Sequence, residues 1–302
     1  MPIILDPEQL KTTDVICELR LPVLDLFARR ARRLRQLAVG HSMRSYLEFA
    51  AALADAQQQQ LDQLRALPIP DQNVLERCRE HAMPPLAPAG WRRDPIWRTV
   101  ATRLTEALDA VAPAPARAAF ARLRAAEPDW MEAQADALLA EHRAMLDLAC
   151  VPVIGAALQV CWTKMAAALD AAWIATPATP ALCPVCGMPP VASVVGGAGD
   201  ADSGLRYLHC ALCGSEWHAV RAQCSQCDND KGLVYYAVES YSHPIQAEAC
   251  PECGSYLKLC RRDQEIDMEP LADDLASLAL DVLMSEQKFA RSGVNYWLLQ
   301  SE

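Results

Sequence analysis

Eight of the chain's thirteen cysteines fall in four Cys-x-x-Cys pairs: Cys183/Cys186, Cys210/Cys213, Cys224/Cys227 and Cys250/Cys253. A thiolate is a soft metal ligand, and two residues between cysteines let one tight turn, a knuckle, aim both sulfurs at a single ion. Such a turn favours a residue at positive φ just after the second cysteine. Gly187, Gly214 and Gly254 stand there in three pairs, and Asp228, a residue type that tolerates the conformation, in the fourth. One pair supplies half of a tetrahedral shell, so the pairs must converge two by two. Read consecutively they give C-x2-C-x23-C-x2-C from Cys183 to Cys213 and C-x2-C-x22-C-x2-C from Cys224 to Cys253. That is an internal repeat of about 41 residues, each unit being two knuckles joined by a β-hairpin. The short joint between Cys213 and Cys224 favours this reading. An interleaved cross-brace, first pair with third and second with fourth, uses the same residues and stays open.

Other cysteine chemistry fits less well. A dithiol redox motif usually occurs once, at a helix N-terminus in a βαβ setting. Four copies at ribbon spacing point to two metal ions per chain, and a shell of four sulfurs leaves no open position for hydrolytic catalysis. No catalytic residue is expected and the chain is read as a non-enzyme. Metal identity stays open, because tetrahedral thiolate suits zinc and a single iron alike. His209 and His218 flank the second pair, but eight cysteines already complete two shells. Cys17, Cys78, Cys150 and Cys161 stand singly in helical contexts, where a free cysteine behaves as a small hydrophobe. Cys260 is read in the same way, with a redox-active neighbour as the alternative. Trp217 and Tyr256 are expected to pack the hairpins.

The elements that must position these cysteines can be read from pattern. Residues 1–180 read as an all-helical domain, with helices near 22–38, 42–66, 95–111, 115–126, 129–149 and 152–174. In one of them Trp97, Val100, Ala101, Leu104, Leu108 and Val111 form an apolar face behind Asp94 as N-cap. The proline-rich stretch 176–180 stops helical continuation. Residues 181–262 then change to cysteine, glycine, β-branched and aromatic residues, with strands expected at 191–195, 205–208 and 233–238. Helical pattern returns in 263–302, where Pro270 opens a helix running to about Met284. The fold class is α plus small β: a helical domain, two tandem zinc-ribbon-like four-cysteine modules and a short helical C-terminus.

Composition restricts partners. Net charge is −10 and uneven: residues 1–180 carry twenty basic against twenty-one acidic residues, 181–262 six against eight, and 263–302 two against nine. A nucleic-acid phosphate backbone needs a concentrated basic face, so nucleic acid is not expected as a partner. The basic run Arg29, Arg30, Arg32, Arg33, Arg35 is read as a solvated helix face, with a docking surface for an acidic partner segment as the alternative. The longest charge-free apolar run, 148–163, holds Pro152 and Gln159 and is too short to span a bilayer, so it is read as a buried core helix and no membrane insertion is expected. Acids at Asp6 and Glu8 and the lack of an apolar h-region argue against a secretory signal, and unpaired thiols suit reducing conditions, so the expected location is cytoplasmic.

Four strings carry a family resemblance: Cys183-Pro-Val-Cys-Gly, Arg206-Tyr-Leu-His-Cys-Ala-Leu-Cys-Gly-Ser-Glu-Trp217, Arg221-Ala-Gln-Cys-Ser-Gln-Cys227 and Ala249-Cys-Pro-Glu-Cys-Gly-Ser-Tyr-Leu-Lys258. In order and spacing they resemble the FdhE family, accessory proteins for the maturation of membrane-bound formate dehydrogenases. The resemblance implies two rubredoxin-like iron sites, cytoplasmic residence, and contact with the catalytic subunit of a formate dehydrogenase before its export. The function it implies is that of an assembly factor. Two other classes remain, a zinc-ribbon module binding protein or nucleic acid and a rubredoxin-like electron carrier. The acidic balance of 181–262 disfavours a nucleic-acid module, and a dedicated carrier would not need about 180 residues of helix.

Overall fold

The computed structural model describes residues 18–90, 93–175, 181–196, 204–238 and 244–298. Three sequence expectations fall outside them: the lone Cys17, the acidic start around Asp6 and Glu8, and the helix stop at 176–180. The described part of the first half folds into α1 (Leu26–Ala38), α2 (Arg44–Gln63), α3 (Gln72–Glu80), α4 (Ile96–Leu108), α5 (Ala114–Ala125), α6 (Pro128–Leu139) and α7 (Val151–Ala166). Helix α7 is the axis. It is apolar all round, fourteen of its sixteen residues are buried, and α2, α4 and α6 pack against it, as expected for a helix with no solvated face. Among the described residues no helix is long and apolar enough to cross a membrane.

Local chemistry explains most of the helix ends. Asp94 Oδ1 accepts from the Ile96 amide at 3.0 Å and opens α4, whose Trp97, Val100, Ala101, Leu104 and Leu108 are buried as the periodicity requires. The face stops one turn short of expectation. Val111 is exposed in the turn that precedes Pro113, where the helical region is disfavoured before a proline. The helix expected over 129–149 ends at Leu139, because Glu141 takes a left-handed φ of 57° and the His142 amide returns to the Ala137 carbonyl at 2.8 Å, closing the helix. Helix α3, which holds Cys78, lies outside the helix ranges that the pattern predicts, although Cys78 itself reads as helical. Asp71 caps it by accepting from the Val74 amide at 3.0 Å, and Leu75 is its one buried side chain.

The cysteine-rich part builds one sheet, to which the region expected to be all-helical and the tail each add a short strand: β1 (Leu19–Arg20), β2 (Pro190–Val195), β3 (Arg206–Cys210), β4 (Glu216–Ala219), β5 (Val234–Tyr236), β6 (Ile245–Cys250), β7 (Ser255–Arg261) and β8 (Ala290–Arg291). The order is β1-β4-β3-β2-β7-β6-β5, with β8 added on β7. Each half of the repeat gives an antiparallel meander, β2-β3-β4 and β5-β6-β7, in which the first two strands form the expected hairpin between knuckles. The halves join through a parallel seam between the first strand of one and the last of the other, with Ser193, Val194 and Val195 opposite Leu259, Cys260 and Arg261. Strands β6 and β7 carry no clean alternation, since both of their faces are covered, and they were not expected from pattern.

The tail closes the molecule. It contains α8 (Pro270–Leu275) and α9 (Leu278–Glu286), and α8 packs between α1 and strand β2. The arginine run is therefore only in part a solvated face. Arg30 and Arg33 are buried, and each ends on an acid of the tail: Arg30 on Glu269 at 2.9 Å, Arg33 on Asp273 at 2.6 Å and on Glu265. The acidic segment that this basic face receives belongs to the same chain. Arg29, Arg32 and Arg35 remain on the exposed side.

Candidate metal centres

The sulfurs of the eight paired cysteines lie in two groups of four, Cys183, Cys186, Cys210 and Cys213 in one and Cys224, Cys227, Cys250 and Cys253 in the other. This is the consecutive arrangement, and no sulfur of one group is shared with the other. Within each group all sulfurs are within 4.8 Å of one another. The Sγ–Sγ separations are 3.7 Å for Cys183–Cys213, 3.4 Å for Cys186–Cys210, 3.8 Å for Cys224–Cys253 and 3.7 Å for Cys227–Cys250. A disulfide would need about 2.05 Å. Four thiolates about 2.3 Å from a central ion stand about 3.8 Å apart along each tetrahedral edge, so the separations fit a metal.

Each knuckle has the backbone that its sequence requires. Gly187, Gly214 and Gly254 take φ of 73°, 75° and 68°, and Asp228 takes 56°. The Gly187, Asp228 and Gly254 amides donate to the carbonyls of Cys183, Cys224 and Cys250. Amides also point at sulfur: Leu212 and Cys213 donate to Cys210 Sγ at 3.4 Å, and Gln226 to Cys224 Sγ at 3.4 Å. Such donors stabilise negative charge on the sulfur they face.

The electrostatics of the first group call for a cation. Burial pushes the thiols of Cys183 and Cys186 well above their usual range. Burial acts on Cys213 in the same sense, but the thiols of Cys183, Cys186 and Cys210 and the Ser215 hydroxyl all favour its thiolate and hold it well below that range. Four acids in one dry pocket cannot all ionise alone, and a divalent ion removes that conflict by replacing their protons. With four sulfurs around it, such an ion would have no free position for a substrate.

The two groups are anchored differently. In the first, the Cys183, Cys186 and Cys213 side chains are 0% exposed and Cys210 2%. Gln159 and Thr163 on α7 donate to the carbonyls of Ala211 and Cys213 at 2.8 and 3.4 Å. Trp162 Nε1 donates to the Leu86 carbonyl at 3.0 Å, and the Leu86 amide to the carbonyl of Val185 at 2.9 Å. Gln57 on α2 holds Gln159 in turn, donating to its Oε1 at 3.1 Å. In the second group Cys227 and Cys253 are exposed. The knuckle of Cys224 is tied mainly to its own loop, through the Cys224 amide to Asn229 at 2.8 Å and the Gln223 side chain to the Asp228 carbonyl at 3.1 Å.

Residues weighed from the sequence take up plain positions. His209 lies outside both groups and meets Glu216 through Nδ1 at 3.1 Å. Its neighbour His218 meets the Tyr207 ring edge-on at 5.9 Å. Trp217 is buried and Tyr256 Oη donates to Asp281 at 2.7 Å, so both pack. Cys78, Cys150, Cys161 and Cys260 join neither group, and burial raises the thiols of Cys150, Cys161 and Cys260. Sequence reasoning missed the residues that hold the modules in place: Gln57, Gln159, Thr163, and Arg206, which bonds Glu248 at 3.0 Å and the Val220 and Gln223 carbonyls in the joint between modules. Gln159 left a signal, as the one amide in an apolar helical run.

Three family models match almost end to end: FdhE, N-terminal over residues 17–179; FdhE, central domain over 182–221; and FdhE, C-terminal domain over 222–298. The Protein FdhE homolog of Pseudomonas aeruginosa is 40% identical over 301 residues, 98% of this chain and 97% of that protein. That of Pectobacterium carotovorum is 42% identical over 276 residues, covering 90% and 87%. The crystal structure of the FdhE protein from Pseudomonas aeruginosa superposes with a TM-score of 0.82 at 40% identity, over 94% of this chain and 100% of that one.

Proposed function

Because this chain belongs to the FdhE family, we propose that it is an accessory protein that binds the immature catalytic subunit of a formate dehydrogenase in the cytoplasm and supports its maturation. Its eight paired cysteines hold two metal ions, iron in preference to zinc. The observation that carries this reading is the closure of both four-sulfur groups. A closed shell binds, shapes a surface or passes an electron, and offers no place for a substrate to be converted. The acidic balance weighs against nucleic acid as the partner.

Two experiments test it. Protein purified without oxygen carries close to two equivalents of metal per chain by elemental analysis, and its absorption spectrum separates ferric thiolate from colourless zinc. A pull-down from cell extract recovers the formate dehydrogenase subunit, and a strain lacking the chain still synthesises that subunit while losing formate oxidation. Unchanged formate oxidation in that strain removes the assignment and leaves a metal-binding protein.

A further inference from the structure

The four-cysteine groups are alike in sequence and unlike in setting. The first is sealed: its sulfurs are at most 2% exposed, and three helix-borne contacts, from Gln159, Thr163 and the Trp162–Leu86 relay, hold both of its knuckles. For an incoming ligand to reach its metal, α7 must separate from the sheet, which amounts to opening the core. The second group has Cys227 and Cys253 on the surface, and β5, the strand that follows its first knuckle, is an edge strand that among the described residues pairs with β6 alone. Val234 and Tyr235 on that strand are exposed as well. Loosening 222–236 breaks the short β5–β6 ladder, the Arg206 bond to the Gln223 carbonyl and the Tyr236–Phe289 ring contact, and leaves β6 and β7 in place. Those strands are fixed from the other side by Lys258, which donates to Asp274 and Ser277 carbonyls at 3.0 and 3.1 Å, and by the β2–β7 seam. The free energy of local opening therefore differs between the two groups, and ligand exchange follows the lower one.

We propose that the two centres divide their roles: the Cys183/Cys186/Cys210/Cys213 centre is a permanent staple, and the Cys224/Cys227/Cys250/Cys253 centre is an exchangeable metal site, open to thiol-rich or chelating donors and acceptors. The inference rests on both groups holding metal. Exchange proceeds without change of oxidation state. Donor atoms of the acceptor displace the thiolates one at a time, Cys227 and Cys253 first, the divalent ion leaves on the acceptor, and each released thiolate takes a proton from water according to pH. Loading is the reverse, and β5 closes over the filled site.

The test uses the full chain loaded with two equivalents of zinc and mixed with the chromogenic chelator 4-(2-pyridylazo)resorcinol. Zinc leaves in two phases of one equivalent each, the first at least about tenfold faster, reflecting the separate opening energies. Iodoacetamide added after the fast phase labels Cys224, Cys227, Cys250 and Cys253 and spares the first four. Cys227→Ser abolishes the fast phase and keeps the slow one, which also reports that the variant is folded. Two equivalents leaving in a single phase, or label appearing first at Cys183 or Cys210, overturns the division of roles while leaving metal binding intact. Fewer than two equivalents on loading removes the metal reading and this inference with it.

Discussion

Arg33 and Asp273, 240 residues apart in the chain, form a two-point ion pair with both side chains buried: Nη2 donates to Oδ1 at 2.6 Å and Nε to Oδ2 at 3.0 Å. A buried charge left without its partner is costly, whereas removing both partners together is not. Arg33→Ala is expected to lower stability by about 3–5 kcal/mol. The double variant Arg33→Met with Asp273→Leu should recover most of that loss. Urea unfolding of the metal-loaded chains measures both, and an additive double variant would show that the pair is not coupled.

The anchoring of the first centre predicts unequal consequences of losing one ligand. Cys210→Ser should drop the metal content by one equivalent and raise hydrogen exchange across 183–219, spreading into α7 through Gln159 and Thr163. In Cys250→Ser the rise should stay within 222–254. Equal spread in the two variants would contradict the anchoring contacts described above.

Gln159 bridges Gln57 on α2 and the Ala211 carbonyl in the second knuckle. Gln159→Leu matches the apolar run around it but strands the buried Ala211 carbonyl, at about 1–3 kcal/mol, while Gln57 keeps its bond to the Ala156 carbonyl. The expected outcome is a lower unfolding midpoint and faster zinc loss from the first centre, read from the slow phase alone. A change in the fast phase instead would mean that the two centres communicate through the sheet.

Glu216 is a buried carboxylate beside Arg262 at 2.7 Å and His209 at 3.1 Å. Burial opposes its charge, yet the Arg262 guanidinium and the hydrogen bond with His209 prevail and hold its carboxyl well below the usual range. With the folded-state value depressed, the stabilisation is present above the unfolded-state value and is lost as pH falls below it. Glu216→Gln should therefore be destabilised relative to the parent chain at neutral pH, with the gap narrowing as pH drops below about 4. Acid-driven metal loss affects both chains, so the difference between their unfolding curves isolates the carboxylate. A gap that widens toward acid would reverse the assignment.

What the sequence made legible follows from how local each signal is. The knuckles could be read because cysteine spacing, a glycine or aspartate at positive φ and the repeat of about 41 residues are all short-range features. Helix α4 could be read because its cap and apolar face lie within one segment. The destination of the arginines could not, since Arg30 and Arg33 meet acids more than 230 residues away and on their own helix read as solvated charge. Strands β6 and β7 were hidden for a related reason. Their Glu248 and Lys258 interrupt the apolar pattern, and their buried partners Arg206 and Asp274 lie on other elements. The cysteine groups were foreseeable as sets of ligands, but the unequal exposure of the two was not, because it depends on α7 covering one while Cys227 and Cys253 of the other stay exposed.

The parallel seam between β2 and β7, together with α8 wedged against α1, also orders events during synthesis. Helix α1 carries two guanidinium groups whose counter-charges are made more than 230 residues later. Until then α1 has α2 to pack on but lacks its α8 side, and until β7 is made the sheet lacks the strand that joins its halves. Contacts of such long sequence separation form late and slowly. The joining of helical region to sheet is in effect a closing step, taken when the acidic segment around Glu269 and Asp273 arrives.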